Sequence, residues 1–499
     1  MIERVIFGVI FLFLLYIDEK MMENYISCLQ GEDGMMRKNK GLLCLLGVLC
    51  CILLFNGCAR KQLLDPSKPV TITMWHNFGG QMQTTMDDLI SEFNATVGKE
   101  NGIILSVTSI SSSATLQEKL LAAANGDPGS PTLPNLVTCY PKIALQLANK
   151  GLLTELDSQF SDAELARYLP RFIEEGRLED GSLYVFPIAK STEVLFVDRT
   201  LFDRFSSATG ADFDALKDFE RLSMVSRRYY EWTDSHTPDI PGDGKSFFTT
   251  DSVFNYFQVG LKQLGIEPIT GERLACDVPE FRRIWDSVYE PAVRGGYAVF
   301  DGYSSDLSKL GELVCSTGST AGILFYGSQI IYPDNTTEDV TYTILPYPTF
   351  QGGGSISIQR GSGMCVMKAT PAQEYASALF LKWFTEPKQN MRFVSSTGYL
   401  PVTNEAFTNS MAQEIQQVED ENIKKLLQAA ITMHSEYDFY IPPTFESFDM
   451  LGKSIDKSFK SMARAAREKY LLLVGEMSPD EAYALASKGD FEAFVSQYR

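Results

Sequence analysis

A chain of 499 residues with 44% hydrophobic and 12% aromatic content can build two or three domains with large cores, which excludes disorder. Its formal net charge of −19 repels phosphate backbones. No Lys/Arg cluster after residue 58 offsets that charge, so nucleic acid is excluded as a partner.

The first 35 residues hold an apolar run, Val5 to Tyr16, too short to span a bilayer, and then Asp18-Glu19-Lys20. A basic cluster follows, Arg37-Lys38-Asn39-Lys40, and then the apolar run Gly41 to Phe55, Gly57, Cys58 and the polar Ala59-Arg60-Lys61-Gln62. Positive n-region, short apolar h-region and small residue before the cut make an export signal. The run falls short of the roughly 18 to 20 residues of a spanning helix, which argues against a transmembrane anchor. Leu54-Phe55-Asn56-Gly57-Cys58 resembles the lipobox of bacterial lipoproteins, although Phe55 and Asn56 stand where smaller residues are usual. The resemblance implies that Cys58 carries a diacylglycerol and that the chain is cut just before it. Translation is expected to start at Met35 or Met36, beside the basic cluster. Residues 1–57 are then extension and signal, 58–69 a tether, and the rest an exported protein held at a membrane face.

Nine cysteines include no CxxC pair, so zinc is not indicated and no metal or cofactor is expected. Four of them, Cys28, Cys44, Cys50 and Cys51, precede the cut. Cys139, Cys276, Cys315 and Cys365 are scattered. A Cys276–Cys315 disulfide is open to an exported protein, but buried free thiols are the commoner state for such residues.

Val70 to Trp75 alternates apolar and polar as a strand does, and Met82, Met86, Leu89, Ile90 and Phe93 follow at helical spacing. Ile103 to Ile110 is a second strand, Leu116 to Ala124 a helix stopped by Asn125-Gly126-Asp127-Pro128-Gly129, and Asn135 to Tyr140 a third strand before a helix ending at Gly151. Such alternation predicts a parallel sheet covered on both faces. Ser161 to Glu164 is a capping box, and Leu183 to Pro187 is extended. Helices are expected from Asp212 to about Tyr289, one of them capped by Asp277 and Glu280. Strands are expected at Ala321 to Phe325, Tyr342 to Tyr347 and Met364 to Lys368. Thr370-Pro371 with Gln373 opens a helix through Trp383. Ser447 to Leu473 reads as one long helix, and Ser478 caps a last short one.

Three stretches, in order, resemble the extracellular solute-binding proteins of bacterial ABC importers that take sugars and glycerol phosphates. They are Ile72 to Phe78 with its Trp-His pair, Asp180 to Arg199, and Ala376 to Pro401, which ends in Thr397-Gly-Tyr-Leu-Pro401. The resemblance implies an α/β, bilobal, periplasmic-binding-protein-like fold, two lobes joined by a hinge crossed three times, with ligand in the cleft between them. The first lobe is expected over 70–187 plus 356–396 and the second over 188–355 plus 397–499. Crossings are expected near Pro187-Ile188, Gly352-Gly353-Gly354 and Thr397 to Pro401. The resemblance further implies a permease partner and no catalysis.

Trp75, His76 and Asn77 close the first strand, where an indole can stack on a sugar and the other two can hydrogen-bond; a core Trp with a capping His is the equal alternative. Lys190, Ser191, Thr192 and Glu193 follow the first crossing, where similar family members place a binding serine, and Lys190 would face an anionic ligand. Thr317, Ser319 and Thr320 match a hydroxyl-rich family segment, and Arg360 and Gly361 precede a strand whose relatives bring glycine backbone to the ligand. Tyr399 lies in the hinge element and either covers ligand or packs. Trp232 is a second candidate for stacking, and Cys58 the residue for lipid. Glycerol-phosphate binders of the family carry an acid where Tyr140-Pro141 stands here and a late arginine; none occurs between Arg392 and Arg464. A neutral sugar is therefore the expected ligand, a polyol phosphate the alternative. An exported glycan-acting enzyme is the competing class, since carboxylates abound, but His76, His236 and His434 form no HExxH and no GxSxG is present. A purely structural surface lipoprotein is the third class.

Overall fold

The computed structural model describes residues 63–110, 112–361 and 363–499. The expected export signal, Cys58 and the expected start at Met35 or Met36 lie outside the described residues. Residues from Leu64 onward form one compact unit, built around two sheets.

The first sheet comprises β1 (Val70–His76), β2 (Ile103–Ser109) and β3 (Leu136–Cys139), all parallel. Helix α1 (Gln81–Ala95) buries Met82, Met86, Leu89, Ile90 and Phe93, the five positions its spacing picks out. Helix α2 (Ser113–Asn125) is capped by the Ser112 hydroxyl and stopped by Gly126. Helix α3 (Pro141–Asn149) starts immediately after β3, with proline at its first position. The short α4 (Pro170–Glu175) and β4 (Phe186–Pro187) follow, and only these last two residues of the extended 183–187 stretch are strand.

The second sheet is organised on β5 (Ser191–Asp198), which is buried along its whole length. Its neighbours come from distant parts of the chain. After α5 (Arg199–Thr209) and α6 (Phe219–Asp234), β6 (Ser246–Thr250) interrupts the stretch expected to be helical. Helices α7 (Val253–Gln263) and α8 (Pro279–Arg294) follow, the latter capped by Val278 without a side-chain bond rather than by Asp277. The next strand of this sheet is β7 (Leu313–Ser319), and the Ala321–Phe325 segment expected as strand is a 3₁₀ turn. The missed strands β6 and β7 have one cause. A strand covered on both faces shows no alternation for a sequence reading to detect. β8 (Tyr342–Leu345) and β9 (Ile356–Arg360) each pair antiparallel with β5.

The chain returns to the first sheet at β10 (Gly363–Val366), antiparallel to both β3 and β4. Ile356–Arg360, expected in the first lobe, therefore pairs within the second sheet, and the chain passes between the sheets at Gly361 rather than in the Gly352–Gly354 loop. Gly361 is required there. Its φ is +96°, and a Cβ would sit 2.9 Å from both Lys190 Cα and Ser191 N. Helices α9 (Pro371–Phe384), with the Thr370/Gln373 capping box, and α10 (Pro387–Thr397) precede the third crossing. There Gly398 has φ +73° and a Cβ would meet Thr320 O at 2.7 Å. Leu400 exchanges backbone hydrogen bonds of 3.1 and 2.6 Å with Lys190, tying this crossing to the first. Helix α11 (Glu421–Glu436), β11 (Asp438–Tyr440, parallel to β9) and the long α12 (Phe448–Leu473) complete the second lobe, followed by two short helices. Trp285 stacks on Tyr289 at 4.3 Å between α8 and α12, with Phe459 edge-on to both. The fold is a mixed α/β structure of two lobes.

Candidate functional site

Parallel sheets present their strand ends, and the loops that follow, as the natural floor of a ligand site. Here the carboxyl end of β3 faces the carboxyl ends of β7, β9 and β11 across a cleft of about 370 Å³, within the ~300–1,000 Å³ usual for small-molecule sites. The first lobe supplies Gln117 of α2, the turn Tyr140 to Ile143, and Glu175 at the end of α4. The second supplies Ser191, Asn255, Ser319 and the Ile358–Gly361 strand end, with Pro442, Pro443 and Phe448 around the start of α12. Tyr399 lines the cleft from the third crossing. It is stacked on Phe393 at 6.0 Å, and burial pushes its phenol well above the ordinary value.

The charges of this cleft come in pairs. Arg360 Nη1 is 2.8 Å from Glu193 Oε1, and Asn255 Nδ2 donates to the same oxygen at 2.7 Å. The Glu193 side chain is 1% exposed, the Arg360 side chain 37%. Burial raises the Glu193 carboxyl above its usual range, while the Arg360 charge and the Asn255 bond pull it down. Desolvation pulls the Arg360 guanidinium down, but the Glu193 charge outweighs it and the net direction is up. Lys142 Nζ meets Asp449 at 2.8 Å, one residue from each wall. Lys190 Nζ meets Glu175 at 2.8 Å and also donates to Gly361 O at 3.1 Å. Both cations that line the cleft among the described residues are thus neutralised.

The structure gathers part of the expected constellation here: Ser191, Ser319, Arg360, Gly361 and Tyr399 line the cleft. Glu193 lies behind the wall. Thr192 is held inside the sheet, donating to Ile358 O at 2.8 Å. Lys190 is buried in its pair with Glu175 and does not face the cleft. Thr317 and Thr320 are fully buried, with hydroxyls that meet no described partner. Trp75 is packed with Ile110, Leu116 and Val137 inside the first lobe, because its side chain points to the covered face of β1. His76 is also fully buried; its Nδ1 accepts from Phe78 N at 3.2 Å, and desolvation lowers its pKa to about 4. Asn77 bonds Ser113 at 2.6 Å and Thr138 at 2.9 Å in a small recess beside the cleft. Trp232 is remote. It packs on Phe205 and His236 on another face of the second lobe. Cys276 and Cys315 are free, buried thiols.

Sequence reasoning missed Gln117, Lys142, Asn255, Pro442, Phe448 and Asp449, and singled out Tyr140 only as a departure from a pattern. Tyr140 carried a usable signal, since it follows β3 directly, at the strand end the sheet rule points to. The others lie on helices and loops that only folding brings together.

A sequence profile described as bacterial extracellular solute-binding protein matches residues 88–421. No curated protein matches the chain. Among solved structures, the cyclic α-maltosyl-1,6-maltose binding protein of Arthrobacter globiformis is 18% identical, with a TM-score of 0.62 over 86% of this chain and 100% of that one. An ABC substrate-binding protein of Listeria monocytogenes in complex with cycloalternan is 13% identical, with a TM-score of 0.60 over 87% of this chain and 100% of that one. UgpB of Mycobacterium tuberculosis in complex with glycerophosphocholine is 18% identical, with a TM-score of 0.58 over 86% and 99%. These likenesses show a bilobal, periplasmic-binding-protein-like fold.

Proposed function

The chain belongs to the family of bacterial extracellular solute-binding proteins, and we propose that it is the carbohydrate-capturing component of an ABC importer. The observation that carries this reading is the chemistry of the cleft. Tyr140, 39% exposed, and Phe448 offer aromatic faces, while Gln117, Asn255, Ser191, Ser319 and Gln359 offer amides and hydroxyls. Aromatic faces take the apolar side of a sugar ring, and amides and hydroxyls both donate and accept, as sugar hydroxyls require. No unpaired charge among the described lining residues calls for an ionic ligand.

The lobes proposed to close on the ligand are 70–187 with 363–396, and 188–361 with 397–499, a division that follows sheet membership. Closure by rotation about the three crossings would bury the ligand, and a permease would take it from the closed form. Cys58 is proposed as a lipid anchor for this exported protein. Among the described residues no helix is long and apolar enough to cross a membrane. A polyol phosphate is the second reading, favoured by the glycerophosphocholine complex among the neighbours and opposed by the pairing of Arg360 with Glu193.

Thermal-shift and calorimetric titration of the chain beginning after Cys58, against neutral oligosaccharides and glycerol phosphates, tests this. A ligand at about 100 times its dissociation constant adds about 2.7 kcal/mol to stability. Stabilisation by a neutral oligosaccharide supports the proposal. Stabilisation only by phosphates transfers it to the second reading, and turnover of a glycan without retained binding would replace it with the enzyme class.

A further inference from the structure

We propose that Glu193 is a specificity-determining residue that excludes anions from the cleft by neutralising Arg360 from behind the wall. The inference rests on the reading of this cleft as the ligand site. An arginine in a concave wall is ordinarily a receptor for phosphate or carboxylate, because its planar fork matches their oxygens two at a time. Arg360 has the exposure for that role, but its charge is already answered. Glu193 Oε1 lies 2.8 Å from Nη1, and Asn255 fixes the same oxygen from α7 at 2.7 Å. The backbone carbonyl of Glu193 accepts from Ser357 Oγ at 3.1 Å, so the residue is pinned on both its main chain and its side chain.

Burial makes this effective. Water and salt screen an exposed carboxylate, whereas one that is 1% exposed keeps its field at the cleft surface. Glu193 Oε2 is buried with no described hydrogen-bond partner, so part of that negative charge is not absorbed by donors on its own side of the wall. Asp251, at the carboxyl end of β6, adds negative potential felt by both Glu193 and Arg360. Arg360 then acts as a set of neutral-sounding donors. Of its five N–H groups one is bound to Glu193 among the described residues, and the others suit the oxygens of uncharged hydroxyls. An anion docked on Arg360 would meet the Glu193 carboxylate one side chain away.

The experiment compares the wild type, Glu193→Gln, Arg360→Gln and the Glu193→Gln/Arg360→Gln double variant, titrated with inorganic phosphate at constant ionic strength. The wild type is expected to show no saturable phosphate binding. Glu193→Gln should gain about ten- to a hundredfold in phosphate affinity, and the double variant should lose that gain. Saturable phosphate binding by the wild type that disappears in Arg360→Gln overturns the inference. So does a Glu193→Gln variant with wild-type near-ultraviolet dichroism and no gain. Should Glu193→Gln fail to fold, the wild type against Arg360→Gln still decides: equal indifference to phosphate supports the inference, and loss of binding in the variant overturns it. A parallel titration with neutral oligosaccharides separates the two readings, since their failure to bind counts against the proposed function and leaves the phosphate comparison standing.

Discussion

The two walls of the cleft are made differently. The first lobe meets the cleft with a turn and a helix start, Tyr140 to Lys142, whose side chains are partly exposed, with Ile143 packed in the core behind them. Its buried polar residue at a strand end, His76, is turned inward and kept neutral, with one ring nitrogen bonded and Nε2 without a described partner. The second lobe meets the same space with residues set in or against its sheet, Ser191, Arg360 and Asn255, and keeps a charged residue behind them in a bonded pair. The difference teaches how stability and recognition are divided. A protruding aromatic can be altered at little cost to the fold, whereas a wall held by buried ion pairs cannot.

The largest expected effect tests the link between the walls. Lys190→Met leaves Glu175, 11% exposed, without its cation, and breaking a buried pair from one side costs about 3–5 kcal/mol. The denaturation midpoint should fall accordingly, and Glu175→Gln in the same chain should restore part of it. A loss below 1 kcal/mol would show that the crossing does not depend on this pair.

His76 gives the next largest. Burial, opposed only weakly by Asp87, lowers its pKa from 6.5 to about 4. Between those values the unfolded chain binds a proton that the folded chain does not, so stability declines as pH falls from about 6.5 and the contribution is gone below about 4. The loss amounts to about 3 kcal/mol. Unfolding measured at pH 7.5 and 4.5 should show it, and a His76→Gln variant that folds should have a flatter profile over that range.

Tyr140→Ala should lower ligand affinity by about 2 kcal/mol while moving the unfolding midpoint by no more than about 0.5 kcal/mol. Calorimetry and a melt on the same sample read both numbers. A reversed pattern, with stability lost and affinity kept, would make the first wall structural like the second.

The smallest effect belongs to the rim. Lys142 and Asp449 join the walls with side chains that are 21% and 49% exposed, a setting in which an ion pair contributes about 0.2–1 kcal/mol. Asp449→Asn should speed ligand release only a few-fold, and about 0.5 M salt should abolish the difference.

The sequence displayed the first lobe more clearly than the second. Its strands β1 and β2 alternate or carry β-branched runs, α2 and α9 carry side-chain caps, and Gly126 and Gly151 end two helices where expected. In the second lobe, β6 and β7 are covered on both faces and show no alternation, so β6 was taken into a helical stretch and β7 was not recognised. The candidate site was legible where a backbone constraint marks it. Gly361 and the Thr397–Pro401 crossing sit where the chain passes close to itself, and such places leave glycine and a fixed order of residues. Trp75 and Trp232 illustrate the opposite failure. An indole at a strand end or on a helix has the same letters whether it faces a sugar or a core, and here both are packed.

By itself the sequence pointed to the family and to the bilobal α/β class. These follow from local patterns: periodicity, caps, glycines and a motif order read along one chain. Tertiary structure alone decided which strand ends face each other, and that Arg360, Asn255 and Glu193 form one cluster although they are drawn from β9, α7 and β5. It also decided that Lys190 is buried in an ion pair with Glu175. A charge acts through distance and burial, neither of which is written in the order of residues. Its partner therefore appears only when the chain has folded.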